Sequence, residues 1–133
     1  MKICVTSIGN NIDSDVDPRF GRCKYFLIID TDSMNVNPIS NESMMASGGA
    51  GIQAAQMVAK TGVDTVITGN VGPNAFQTLK SAGIKIITGV NGNIKDVVDK
   101  FNKGELKEID SPSVASHFGM GGPGRGFRRG GNL

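Results

Sequence analysis

A chain of 133 residues has the size of one domain, enough to close a hydrophobic core and too little for two full domains. Its 38% hydrophobic and 20% charged residues place it among globular chains, away from the disordered and membrane-spanning classes. The formal charge of +2 belongs to one end: Arg125, Arg128 and Arg129 meet no acid between Gly119 and Leu133, whereas residues 1–118 carry 11 basic against 12 acidic side chains. A nucleic-acid surface spread over the whole body is therefore excluded. No secretory signal is apparent in Met1 to Ser7, so a cytoplasmic location is expected. Cys4 and Cys23 lie 19 positions apart, which is neither a CxxC pair nor a disulfide framework, and both are expected as free thiols.

Lys2 to Ser7 alternates and is β-branched, which predicts a first strand; Ile8 to Arg22, rich in Asn, Asp, Gly and Pro, predicts a long loop. Tyr25 to Asp30 reads as a strand, Thr31 to Ser33 as a hairpin loop, and Asn35 to Ile39 as a weaker strand limited by Pro38. From Gly49 the apolar positions take a helical period that stops at Gly62. Asp64 to Thr68 is a strand, Pro73 to Ala82 a helix with proline in its first turn, Ile84 to Thr88 a strand, and Asn93 to Asn102 an amphipathic helix capped by Asn93.

Repeated strand-helix units demand parallel pairing through right-handed crossovers. The expected fold is α/β, a three-layer α/β/α domain on a five-stranded mixed sheet of order 3-2-1-4-5. Its topological switch falls between strands 1 and 4, the place where open α/β sheets bind ligands outside the carboxyl ends of their strands.

Three segments should meet there: the loop Ile8 to Cys23, the turn Ser47-Gly48-Gly49-Ala50-Gly51, and Thr68-Gly69-Asn70-Val71-Gly72-Pro73-Asn74. Glycine-rich helix starts expose N–H groups and a positive dipole end, and two side by side suit an anion. Gly49, Gly51, Gly69, Asn70, Gly72 and Asn74 are therefore candidate binding residues, with Arg19 and Arg22 supplying full charges. Each of the glycines also has a plainer explanation as a tight strand-to-helix turn. Gly49-Ala50-Gly51-Ile52-Gln53-Ala54 fits the dinucleotide pattern by letter, but no strand runs into it and the next strand ends in Thr68 and Gly69 rather than an acid. Neither a Walker A sequence nor a nucleophile elbow occurs, and His117 is the single histidine, so no catalytic residue is expected. Cys4 reads as a small buried hydrophobe. Cys23 follows Arg22 at the end of the loop and is expected as an exposed thiol of lowered pKa, a soft metal ligand whose partners come from His117, a second subunit or the cargo itself. Asp13, Asp15 and Asp17 lack the Gly and Glu of a calcium loop and read as solvated acids.

Several of these motifs together carry a family resemblance. They are Phe20-Gly21-Arg22 followed by Tyr25-Phe26-Leu27-Ile28-Ile29-Asp30; Gly49-Ala50-Gly51; Val66 through Ala75 (VITGNVGPNA); and Gly104-Glu105-Leu106. From Met1 to about Leu106 the chain resembles the dinitrogenase iron-molybdenum cofactor biosynthesis family, the NifX-like domain found also at the end of NifB proteins. The resemblance implies a ribonuclease-H-like motif without nuclease chemistry. It further implies a non-enzymatic carrier or scaffold for an iron-sulfur or iron-molybdenum type cluster, with Phe20 and Gly21 joining the candidate binding residues. Many relatives carry His directly before Phe-Gly-Arg, where this chain has Arg19.

The expected organisation is a domain over residues 1–110 and a flexible cationic Gly/Arg tail over 111–133. Phe118, Met120 and Phe127 among the arginines allow weak RNA binding by stacking, although nucleic acid is not expected as the main partner. The expected partners are the cluster or a small anion and a cluster-assembly or acceptor protein, with no membrane, for a monomer or weak homodimer. The alternative function is a small-anion or nucleotide-binding regulatory module without metal.

Overall fold

The first strand is apolar on both faces because it runs through the middle of the sheet. In the computed structural model, which describes residues 1–44 and 48–113, β1 (Lys2–Ser7) pairs antiparallel with β2 (Tyr25–Asp30) and parallel with β4 (Thr65–Ile67). β3 (Val36–Ser40) lies antiparallel outside β2, and β5 (Lys85–Ile87) parallel outside β4, which gives the expected order β3-β2-β1-β4-β5. α1 (Ala50–Ala59), α2 (Pro73–Ser81) and α3 (Ile94–Asn102) complete the described elements. Pro38 sits in edge strand β3, where a missing N–H costs least.

Alternation along the central strands sends side chains into two cores. Cys4, Phe26, Ile28, Val66 and Ile86 pack with Ala54, Ala55 and Val58 of α1 and Ala75, Phe76 and Leu79 of α2. Ile3, Val5, Leu27, Ile29, Ile67 and Ile87 pack on the other face with Ile94, Val97 and Val98 of α3. This is the three-layer arrangement, and burial on both faces explains why YFLIID is continuously apolar rather than alternating. Among the described residues no helix is long and apolar enough to cross a membrane.

Element ends shift by one or two residues from the expected ones, and one of the differences has an identifiable cause. The hairpin loop spans five residues, 31–35, because Asp30 Oδ1 accepts the N–H groups of Asp32 and Ser33 at 2.9 and 3.3 Å and turns the chain before β3 can start. The chain after α3 is bonded back to the sheet and to the β4–α2 connection. Ile109 donates its N–H to Ile86 O at 2.8 Å, and Ser113 exchanges bonds with Val71, its N–H to Val71 O at 3.1 Å and Val71 N–H to its hydroxyl at 2.8 Å. His117 and the arginines of the tail lie outside the described residues.

Candidate functional site

The long loop is pinned at both ends, and this decides what the switch point offers. Its first half covers the start of α3: Val16 N–H bonds Gly92 O at 2.9 Å, Ile94 N–H bonds Ser14 O at 3.0 Å, and the Asn93 amide donates to Asp13 O at 3.0 Å. Asn93 caps that helix as expected, its Oδ1 accepting Lys95 N–H at 2.9 Å. Its second half lies along the β4–α2 connection, with Asn70 N–H to Pro18 O at 2.8 Å and Phe20 N–H to Asn70 O at 3.3 Å.

All three expected segments do converge. A Cβ on Gly69 would stand 2.6 Å from Pro18 Cα, and one on Gly21 would stand 3.0 Å from the Gly51 backbone. Gly51 in turn lies 3.4 Å from the Ala75 side chain by the same measure, so the starts of α1 and α2 are neighbours. Gly21 and Gly69 therefore serve close backbone packing between loops distant in the chain, a role other than the tight strand-to-helix turn expected of Gly69, whereas a Cβ on Gly51 would meet only an ordinary contact. Gly49 and Gly72 differ, because they precede helices that have no side-chain cap and no acid in the first turn. Gly49 takes a left-handed φ of 72° while Gly72 is extended, and Asn74 is exposed on the first turn of α2. Two adjacent helix starts thus keep uncompensated positive dipole ends.

Beside them an open groove of about 510 Å³ is lined by Ile8, Asp17, Pro18, Arg19, Arg22, Lys24 and Met44. Arg19 is well exposed, its side chain 63% accessible. Arg22 is held across the groove by its Nη1 donating to Met44 O at 2.7 Å. The Met44 carbonyl is in turn placed by a buried turn: Asn41 Oδ1 accepts the N–H and hydroxyl of Ser43, and its amide donates to the carbonyls of Cys23 at 2.9 Å and Gly21 at 3.1 Å. The groove therefore combines three cationic side chains with the apolar surfaces of Ile8 and Met44. Gly49, Gly51, Gly69, Asn70, Gly72 and Asn74 do not line it; of these, Gly69 and Asn70 lie directly behind its Pro18–Arg19 wall.

Two expectations are corrected. Cys23 is fully buried, not exposed, and it packs in the same core as Cys4. Burial first, and then the Asp17 carboxylate, push its pKa up to about 12, overriding the lowering by the Asn41 amide. The neighbouring Arg22 does not acidify it. Its S–H donates to Phe20 O at 3.4 Å. Phe20 is also buried, its ring 5.6 Å from that of Phe26. Asp17 is the second correction. Asp13 and Asp15 are solvated as expected, but Asp17 is only 6% exposed, at the groove. Its Oδ1 accepts Arg19 N–H at 3.0 Å and faces Arg19 Nε at 3.6 Å. An Asp-Pro step favours such a local turn, which was the available signal. Nothing in the sequence pointed to Ile8, Lys24, Asn41 or Met44.

Among the described residues no three His, Cys, Asp or Glu side chains converge as a metal site. What fold and groove define together is an open α/β domain with a basic, partly apolar cleft at its switch point. The chain belongs to the dinitrogenase iron-molybdenum cofactor family, whose model matches residues 1–104. The apo form of the orange protein from Desulfovibrio gigas superposes with a TM-score of 0.83 at 40% identity, over 85% of this chain and 96% of that one. A Thermotoga protein assigned to NifB follows at 0.72 and 35%, over 85% and 98% of the two chains. An uncharacterized protein of Methanocaldococcus jannaschii is 28% identical over 114 residues, 83% of this chain and 97% of its own length.

Proposed function

We propose that the protein is a non-catalytic cytoplasmic carrier or scaffold for an anionic iron-sulfur or iron-molybdenum type cluster, which it passes to or receives from a cluster-assembly or acceptor protein. The observation that carries the proposal is the groove itself, where Arg19, Arg22 and Lys24 surround the apolar Ile8 and Met44 at the carboxyl edge of the sheet. A sulfide-rich cluster is a large, weakly hydrated polyanion. It gains from guanidinium groups by charge and from Ile and Met surfaces by dispersion. Family membership supports the same cargo, and the likeness to the orange protein and the NifB-assigned protein is consistent with that membership. Cys23 is no longer part of the proposed ligand set, because a buried, protonated thiol is a poor metal ligand.

The test is anaerobic loading of the full chain with iron, sulfide and molybdate, followed by visible absorption and metal analysis. Arg19→Glu with Arg22→Glu should lose most of the bound metal, whereas Cys23→Ser should retain it. Equal loading of the double variant and the unmodified chain would sink the groove assignment. The two uncapped helix starts favour a second reading, a small-anion or nucleotide module without metal. Thermal stabilisation by a nucleotide, with no metal retained after loading, would promote it over the first.

A further inference from the structure

Beyond α3 the chain is led to the back of the groove. Glu108 pairs with Lys80 of α2 at 3.4 Å, and Ile109 packs on the core beneath α1 and α2 while its N–H bonds Ile86 O. Ser113 is then fixed on Val71: its N–H donates to Val71 O at 3.1 Å, and its hydroxyl accepts Val71 N–H at 2.8 Å. Val71 follows Asn70, which bonds Pro18 and Phe20 on either side of Arg19. The family model ends at residue 104, so this strap lies outside the matched region. Residues 114–133, which continue from Ser113, hold seven glycines, Arg125, Arg128 and Arg129, and no acid. Arg125 follows Ser113 by 12 positions. Such a glycine-rich stretch spans about 19 Å on average, which puts the arginines at an effective concentration on the order of millimolar around the groove.

We propose that residues 114–133 are the second half of the anion site, an arm that Ser113 delivers to the groove and that closes over it only when a polyanion is bound. This rests on the anion-groove reading above and adds the charge of the cargo to it. The groove sets Arg19, Arg22 and Lys24 against Asp17, a formal excess of two positive charges. An empty groove repels the arm, because both are cationic. A dianion neutralises that excess and leaves nothing to attract three further arginines. A cargo of higher charge still presents negative charge on its outer side, and Arg125, Arg128 and Arg129 close on it. Only in this case does the attraction offset the entropy of ordering a glycine-rich segment. The arm thus selects a highly charged cargo, such as a sulfide-rich cluster, over sulfate or orthophosphate, a distinction that the fixed groove by itself does not make.

Sulfate and inorganic triphosphate separate the arm from the groove, since in mildly alkaline buffer the first is a dianion and the second carries several more charges. In the full chain, trypsin cleavage after Arg125, Arg128 and Arg129, read by mass spectrometry, should slow about 10-fold with saturating triphosphate and stay unchanged with sulfate. Combining Arg125→Gln, Arg128→Gln and Arg129→Gln in the full chain should weaken triphosphate binding about 10-fold in calorimetric titration and leave sulfate within about twofold of the parent. Arg19→Glu with Arg22→Glu should abolish the protection from trypsin, because the arm closes on a loaded groove and not on the anion alone. Protection of the same bonds after anaerobic loading with iron, sulfide and molybdate assigns the charge to a cluster, whereas protection by triphosphate alone assigns it to a phosphate chain. Cleavage unchanged by triphosphate, equal weakening of both anions in the triple variant, or protection that survives Arg19→Glu with Arg22→Glu would overturn the proposal and leave the groove standing. Failure of the parent chain to bind either anion would remove the groove and the arm together.

Discussion

Replacing Gly69 by alanine tests whether the site depends on the close approach of two loops. The added Cβ would stand 2.6 Å from Pro18 Cα and 2.9 Å from both its Cβ and its carbonyl oxygen. Two of these are backbone atoms, which cannot swing away as a side-chain tip can. Pro18 is also tied to the same connection through Asn70 N–H to Pro18 O at 2.8 Å, so relief requires the loop to lift and that bond to stretch. Overpacking of this kind costs about 1–3 kcal/mol, and contact with backbone puts this case near 3 kcal/mol. At about 4 °C per kcal/mol for a domain of this size, the melting temperature should fall by about 12 °C. Gly72→Ala is the matched control: its φ is −81°, nothing lies within 4 Å of its added Cβ, and it should melt within about 2 °C of the parent. Since the chain has no tryptophan and one tyrosine, circular dichroism is the suitable probe. Displacing Pro18 also carries Arg19 with it, so phosphate affinity should drop in Gly69→Ala and hold in Gly72→Ala. A Gly69→Ala protein that melts with the parent would refute the argument that these loops are in direct backbone contact.

Other outcomes follow from the same geometry. Cys23, with its pKa pushed up to about 12, should react with a disulfide reagent at pH ~8 about a thousandfold more slowly than an ordinary thiol, and rapidly once denaturant is added; fast native labelling would contradict its burial. Because its folded pKa is raised, Cys23 contributes stability that is present below pH 9.0 and is lost as the pH rises toward about 12. The whole effect is about 4 kcal/mol, and Cys23→Ala should show a shallower alkaline decline in denaturant titrations. Asn41→Ala would strand the Gly21 and Cys23 carbonyls and the Ser43 N–H, costing about 2–4 kcal/mol by urea unfolding. It should also weaken anion binding, because Arg22 rests on the turn that Asn41 closes. Asn93→Ala removes the α3 cap and the tie to Asp13, and should cost about 1 kcal/mol without altering anion affinity.

Hydrophobic period and punctuation were enough to define the strands, the helices and the sheet order from the sequence. Burial of both sheet faces writes itself into runs such as YFLIID, and Pro73, Gly83 and Asn93 mark helix ends by chemistry that acts within a few residues. The same local signals located the switch point and named Arg19 and Arg22. What lay beyond them was every property set by long-range packing. Whether Cys23 meets solvent depends on Phe20, Phe26 and the distant Asn41, not on the Arg22 next to it. Whether Asp17 is solvated depends on Thr6 and Arg19 closing around it, and the glycines at 21 and 69 acquire their role only where loops far apart in the chain touch. Sequence patterns report the backbone's local preferences and the faces that must be covered. Burial, and with it the charge and reactivity of each group at the site, is a sum over neighbours that only the folded chain brings together.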